Sequence, residues 1–233
     1  MFYSVIIPAL NEEKTIERTI QCLKTQNFNK DQFEIIVVDN ASTDKTSEVA
    51  QHAGAITVLE KTKGTNIARN RGIKEGKGDI LVFLDADCEP HESWLTIIDS
   101  LISNNSIDAI SGPYDYGFTG IQRILSIVVY DYGFEIVGPI MSFCFRKKVC
   151  AMMGGNFAVK RTAINEIGEF PAITFWGDDT AISMKLMAKG KKVSFTRMLK
   201  IKSSDRRFSS QGFVHSSFVY FYHFFKMYFT FPV

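Results

Sequence analysis

Three clusters of polar residues in this sequence directly follow apolar runs. They are Pro8-Ala9-Leu10-Asn11-Glu12, Asp39-Asn40-Ala41-Ser42-Thr43-Asp44 and Asp85-Ala86-Asp87. Asp85 and Asp87 stand one residue apart after Leu81-Val82-Phe83-Leu84. On an extended chain they would point to opposite faces, but a turn starting there lets both approach one ion. Paired carboxylates of this kind suit Mg²⁺ or Mn²⁺, with substrate phosphates completing the shell. Asp39 can accept a hydrogen bond from a base N–H or from a ribose hydroxyl. Lys63 and Arg69 offer cationic donors for a diphosphate or a base edge, a solvated surface charge being the other reading of each. Helix capping by Ser42, Thr43 or Asn11 with Glu12 is the alternative for those residues, and it explains neither Asp39 nor the Asp-x-Asp pair. A second acidic pair, Asp178-Asp179, follows Trp176-Gly177 at an expected helix start. Such a pair complements the helix dipole, or supplies a base that takes a proton from an attacking hydroxyl. A metal-binding carboxylate set with a separate base is what displacement at a diphosphate-activated carbon needs.

These residues need a scaffold, and the apolar pattern predicts one. A buried strand is expected over residues 3–7 and further strands over 34–38, 56–59 and 80–84, alternating with helices over 12–25, 43–52, 65–75 and 91–102. Continuous Val/Ile/Leu strands separated by helices predict a mostly parallel sheet covered on both faces, with ligands at the carboxyl ends of the strands. The second half is less regular. It predicts a strand over 111–116, a helix over 121–130, a glycine-rich turn entering a strand over 152–159, a helix over 179–188 and a last strand over 192–195. Neither repeat nor linker interrupts it, so a single domain is expected.

Composition narrows the classes. The chain has 233 residues, 45% hydrophobic and 22% charged, which suits one sizeable core and excludes a disordered chain. A net charge of +2 gives no electrostatic reason to expect nucleic acid as a partner. Four scattered cysteines form no CxxC pair, so reduced thiols in a cytoplasmic protein are expected. No basic region precedes the apolar run in MFYSVIIPALNEE, which therefore does not read as a signal peptide. The glycine fingerprint of dinucleotide sites, the P-loop and the Gly-x-Ser-x-Gly elbow are all missing, which removes support for hydride transfer, kinase and serine-hydrolase chemistry.

The ordered set VIIPALNEE, VVDNASTD, ARNRGI, GDILVFLDAD, GGNFAVKR and GDDTAISMKL resembles the family 2 glycosyltransferases. The resemblance implies a GT-A (Rossmann-like) fold and an inverting enzyme. Such an enzyme moves a sugar from a nucleotide-diphosphate donor, with UDP or GDP, to a hydroxyl of a glycan or lipid-linked glycan, using Mn²⁺ or Mg²⁺. It assigns Pro8, Ala9, Asn11, Glu12, Asp39, Lys63, Arg69, Asp85, Ala86 and Asp87 to the donor, with Asp87 and Asp85 at the metal. Gly155, Asn156, Trp176 and Asp178 fall on the acceptor side, and Asp179 becomes the catalytic base. The chain departs from the common pattern at Thr62, Asp178 and Ala181. Alternatives are a polyprenyl-phosphate sugar transferase, which shares these motifs, and a non-catalytic nucleotide-sugar-binding subunit. A sugar nucleotidyltransferase lacks its glycine-rich triphosphate loop here.

The expected division is a catalytic domain over 1–205 and a basic loop with an aromatic segment over 206–233. The basic loop, Asp205-Arg206-Arg207-Phe208, reads either as a diphosphate or acceptor contact or as a solvated turn. The aromatic segment is rich in Phe and Tyr yet carries His215, His223 and Lys226, which suits an interfacial helix as well as one packed on the sheet or in a homodimer. Residues 121–145 are also apolar. Together they suggest a cytoplasmic enzyme of cell-envelope polysaccharide assembly at the inner face of the plasma membrane.

Overall fold

In the computed structural model, which describes residues 1–104, 107–171 and 177–232, the first half alternates as its periodicity predicts. Strands β1 (Tyr3–Ala9), β2 (Phe33–Asp39), β3 (Ile56–Leu59) and β4 (Ile80–Leu84) are joined through α1 (Ile16–Lys24), α2 (Thr46–His52) and α3 (Thr65–Glu75). A short β5 (Cys88–Glu89) then leads into α4 (Trp94–Asn104). The second half supplies β6 (Ala109–Ser111), β7 (Tyr114–Asp115), α5 (Gly120–Ser126), α6 (Phe134–Phe145), β8 (Asn156–Lys160), α7 (Arg161–Ile167) and α8 (Asp178–Ala188). It ends with β9 (Val193–Phe195), β10 (Ile201–Ser203), α9 (Arg206–Gln211) and α10 (Phe213–Thr230).

The main sheet runs β3-β2-β1-β4-β8-β6-β9. Its first four strands are parallel, and β8 lies antiparallel between β4 and β6. Strand alternation sorts the core into two layers. Tyr3, Val5, Ile7, Val82 and Leu84 pack with Ile16, Ile20 and Leu23 of α1 and Trp94 and Ile98 of α4. The intervening Ile6, Ile36, Val38, Leu81 and Phe83 pack with Ala68 of α3, Ile164 of α7, and Ile182 and Leu186 of α8. Each fully buried Ile or Leu contributes about 1.5–3 kcal/mol, so these two faces hold the edge on which the polar clusters sit. Gly72 lets α3 approach, because a Cβ there would overlap Ile6.

Three expectations need correction. The strand expected over 111–116 is two: β6 belongs to the main sheet and β7 to a small sheet ordered β5-β10-β7. The break falls at Gly112-Pro113, whose carbonyls turn inward to accept from the Asn156 side chain. The helix expected over 121–130 continues instead to Phe145, through wider π-type turns over Ile127–Gly133. Pro139 lies inside it without ending it, although a proline there removes one internal hydrogen bond and crowds the carbonyl four residues back. The last strand is β10 rather than β9, too short to leave a readable period. Among the described residues, the 26-residue helix Gly120–Phe145 alone is long and apolar enough to cross a membrane.

Candidate active site

The carboxyl ends of β1 and β4 open into a cleft of about 460 Å³ whose lining includes Pro8, Ala9, Glu12, Asp85, Ala86 and Asp87. A smaller pocket of about 180 Å³ holds Arg69, Gly154, Gly155, Asp178 and Asp179. The two share Thr65, Asp85, Tyr114 and Tyr220, so they form one continuous site. Six of the ten residues expected at the donor line the larger compartment, whereas Arg69 lines the smaller one together with Gly155 and Asp178 of the four expected at the acceptor.

Asp85 is the hinge between them. Tyr114 Oη donates to Asp85 Oδ2 at 3.2 Å and accepts from the Gly155 N–H at 2.8 Å. Gly155 has to be glycine, because a Cβ there would overlap the Asp85 carboxyl. Arg69, 4% exposed, lies 3.8 Å from Asp85 and pairs directly with Asp178. Removing one partner of so buried a pair costs about 3–5 kcal/mol. Desolvation in the cleft wall raises the Asp85 pKa and outweighs the attraction of Arg69. Burial also raises the Tyr114 phenol, reinforced by Asp85, so Tyr114 stays protonated and donates.

Asp179 sits in the first turn of α8, where it accepts from the Gly154 N–H at 3.2 Å and the Thr180 N–H at 2.7 Å. Burial first, then the neighbouring Asp178 charge, pushes its carboxyl up to about 7. A carboxylate poised near neutral pH is suited to general-base work. Gly154 and Gly155 are adjacent, so one short backbone stretch ties Asp179 on one side and, through Tyr114, Asp85 on the other.

At the far end of the cleft, Arg206 Nη2 bridges Glu12 at 2.8 Å and Asp87 at 2.9 Å. Asn40, beside Asp39, is buried; it donates to the Thr62 carbonyl and accepts from the Gly64 N–H, shaping the loop that enters α3. Asp39 is buried and accepts from the Ser42 N–H. Asn11 takes a left-handed φ of 57° and accepts from the Thr43 N–H, locking the first polar loop to the second. Lys63 is exposed. Asn11, Asp39 and Lys63 lie outside the residues that line the cleft.

The remaining acceptor-side residues divide. Asn156 has no exposed surface; it accepts from Trp94 Nε1 and donates to the carbonyls of Gly112, Pro113 and Leu199. Its side chain is fully occupied in holding the two sheets together, which takes it away from the pocket. Trp176 lies outside the described residues. Sequence reading missed Tyr114, Asn40 and the place of helix α10 at the site, where its Tyr220, His223 and Phe224 wall the smaller pocket. Asn40 could have been found from its place beside Asp39, whereas Tyr114 gave no signal beyond the Gly-Pro break before it.

Asp85, Asp87 and Cys88 can bring one ligand atom each within 4.8 Å of one another. Two carboxylates on a tight turn fit a hard divalent cation. Burial holds the Cys88 thiol protonated, with its pKa well above the ordinary value, so the oxygen pair is the usable donor set.

The mostly parallel sheet, with an Asp-x-Asp turn at its carboxyl edge and a separate carboxylate across a shared cleft, has the GT-A architecture. The family model for glycosyl transferase family 2 matches residues 4–168, and the chain belongs to that family. It is 31% identical over 204 residues to glycosyltransferase AglE of Haloferax volcanii, covering 83% of this chain and 64% of that protein. It is 36% identical over 198 residues to a dolichol-phosphate mannosyltransferase of Pyrococcus furiosus, covering 82% of this chain and 53% of the relative. In three dimensions it resembles the mannosyltransferase PcManGT of Pyrobaculum calidifontis, solved with GDP-Man and Mn²⁺. That match has a TM-score of 0.69 at 22% identity, over 87% of this chain and 56% of the other. The chain thus spans about half to two thirds of these proteins' lengths.

Proposed function

We propose that the chain transfers a sugar, with inversion, from a nucleoside-diphosphate donor in the larger compartment to a hydroxyl acceptor in the smaller one. The observation that carries this reading is the adjacent pair Gly154-Gly155. Its two N–H groups hold the Asp179 carboxylate and, through Tyr114, the Asp85 carboxylate, so base and donor group share one rigid backbone segment. Asp179 takes the proton from the acceptor hydroxyl as that oxygen attacks the anomeric carbon. Arg69 balances the charge of Asp178 and Asp85, and Pro8, Ala9 and Glu12 flank the nucleotide. Asp39 and Asn11 act by fixing the loops, and Lys63, exposed and outside the residues that line the cleft, takes no part at the donor. Asp85 and Asp87 would hold Mn²⁺ or Mg²⁺, which supplies positive charge to the departing diphosphate. The solved relative's GDP-Man and Mn²⁺ support that assignment.

Thermal unfolding with UDP, GDP and CMP, each with and without Mn²⁺, tests the donor half. At about a hundredfold excess over Kd, a ligand stabilises by about 2.7 kcal/mol. The expected result is one nucleotide whose stabilisation needs the metal; no shift with any of them would remove the reading. The Pyrococcus furiosus relative favours a second reading, a polyprenyl-phosphate acceptor. Such a phosphate arrives ionised and needs no base, so Asp179→Asn would spare that transfer and slow transfer to a hydroxyl by about 10²–10⁴-fold.

A further inference from the structure

Two helices leave an apolar surface uncovered beside the smaller pocket. Along Gly120–Phe145, Ile124, Val128, Tyr132, Ile136, Ile140 and Phe143 recur at three- or four-residue spacing and are all exposed, Phe143 by 88%. Along α10, Val214, Phe218, Tyr222, Phe225 and Phe229 form a second exposed stripe at the same spacing. The helices lie side by side and parallel: Tyr130 meets Tyr220, Phe134 stacks on Phe221, and Tyr228 Oη donates to the Met141 carbonyl. The stripes join at their carboxyl ends, where the rings of Phe145 and Phe229 lie 5.2 Å apart.

A helix at a protein–water boundary carries one apolar face. α10 carries two: Tyr220, Phe224 and Met227 turn inward, and the exposed stripe runs along the opposite side. The outer surface also has a one-sided charge. The acids of the long helix are engaged, Asp131 with Lys200 at 2.7 Å and Glu135 with Arg197 at 3.2 Å. α10 carries no acid at all, and Arg146 and Lys148 are exposed just past the long helix. The inward face of that helix favours lying on a bilayer over crossing it. Tyr130, Asp131, Phe134 and Met141 are buried against the rest of the molecule, and lifting them into lipid would strip the Asp131 ion pair and open the core.

We infer that this two-helix surface lies flat on a lipid bilayer bearing anionic headgroups. Apolar stripes flanked by Lys and Arg are what interfacial helices present to such a surface. Docking sets the wall of the smaller pocket at headgroup level, so the acceptor presented there is one carried on a lipid; this last clause rests on the transferase reading, whereas the docking does not.

The test is co-sedimentation of the full chain with phosphatidylcholine vesicles, and with vesicles that also contain phosphatidylglycerol. The wild type is expected to pellet with the anionic vesicles and more weakly with the neutral ones. Phe143→Ser with Phe218→Ser removes two exposed rings and is expected to lower partitioning at least about tenfold. Arg146→Glu with Lys148→Glu is expected to erase the preference for anionic lipid while keeping the fold. Melting temperature and the nucleotide–Mn²⁺ shift confirm that each variant is folded. A wild type that stays in the supernatant with both vesicles overturns the inference. So does light scattering that shows a dimer broken by the two serines, which would assign the surface to a second copy. Vesicle binding is read without transfer: binding with no transfer sinks the enzymatic reading alone, and transfer to a soluble acceptor with no binding sinks the docking alone.

Discussion

Replacing Asp179 with Asn separates the cost of holding that carboxylate from its use. Burial and Asp178 raise its pKa from 3.8 to about 7 in the folded chain. A carboxyl raised in this way is easier to deprotonate unfolded, so its charge opposes folding. The penalty is absent below the ordinary value, grows as pH climbs, and is complete above about 7. A gap of roughly 3 units at about 1.36 kcal/mol each sets a ceiling near 4 kcal/mol. Part of that shift comes from the Asp178 charge rather than from burial, so the single change recovers about half the ceiling, or about 2 kcal/mol. For a chain of this size that is a rise in Tm of about 4–8 °C at pH 8. The amide oxygen can still accept from Gly154 or Thr180, so the local backbone keeps a partner. Melts of wild type and variant at pH 4, 6 and 8, without nucleotide, are the assay. The curves should coincide at pH 4 and separate with the variant higher at pH 8. Coincident curves at pH 8, or a less stable variant, would refute the reasoning. The same variant should lose about 10²–10⁴-fold in transfer to a hydroxyl acceptor.

The other outcomes follow from the same geometry. The wild-type kcat/KM for a hydroxyl acceptor should rise with pH through about 7, as Asp179 loses its proton, and a profile flat from pH 5 to 8 would exclude it as the base. Asp87→Ala should abolish the Mn²⁺-dependent part of the nucleotide thermal shift. It should change the stability of the free protein by less than about 1 kcal/mol, since its partner Arg206 is more than half exposed. Gly155→Ala forces a methyl into the Asp85 carboxyl and should erase the metal-dependent shift with a stability loss of about 1–3 kcal/mol, measured by denaturant titration. Asn156→Ala strands the Trp94 indole N–H and three carbonyls, and should cost about 3 kcal/mol with little change in nucleotide affinity once folded.

Strands β1, β2 and β4 and the polar loops after them were legible because these strands are buried on both faces along most of their length and so read as unbroken apolar runs; β3, at the sheet edge and half exposed, was legible from its β-branched Ile56-Thr57-Val58 run. Asp85, Asp87 and Asp179 were legible for a related reason: they are acids where a strand end or helix start provides a mouth. What was hidden depends on partners distant in the chain. Asn156 follows the glycine pair and reads as a site residue, yet its four hydrogen bonds go to Trp94, Gly112, Pro113 and Leu199. Tyr114 acquires its role only because β7 leaves the main sheet. The basic stretch at Arg206 was read as a ligand contact or a solvated turn and the aromatic stretch by its composition, neither of which could show that Arg206 reaches Glu12 and Asp87, or that α10 walls a pocket.

Strand β8 has a consequence for the order in which the protein comes into being. It is wedged between β4 and β6, so β4 keeps an open edge until Asn156–Lys160 arrives. During synthesis, which runs from the amino end, the loops carrying Pro8, Asp39, Asp85 and Asp87 emerge first, on strands that already pair with one another. The glycines that set Asp85 and hold Asp179 come about seventy residues later, with a contact separation that slows their capture. A nascent chain therefore builds the loops of the larger compartment before the glycines that bind Asp179. A pause in translation between β4 and β8 would expose Ile80–Leu84 as a template for pairing with another chain.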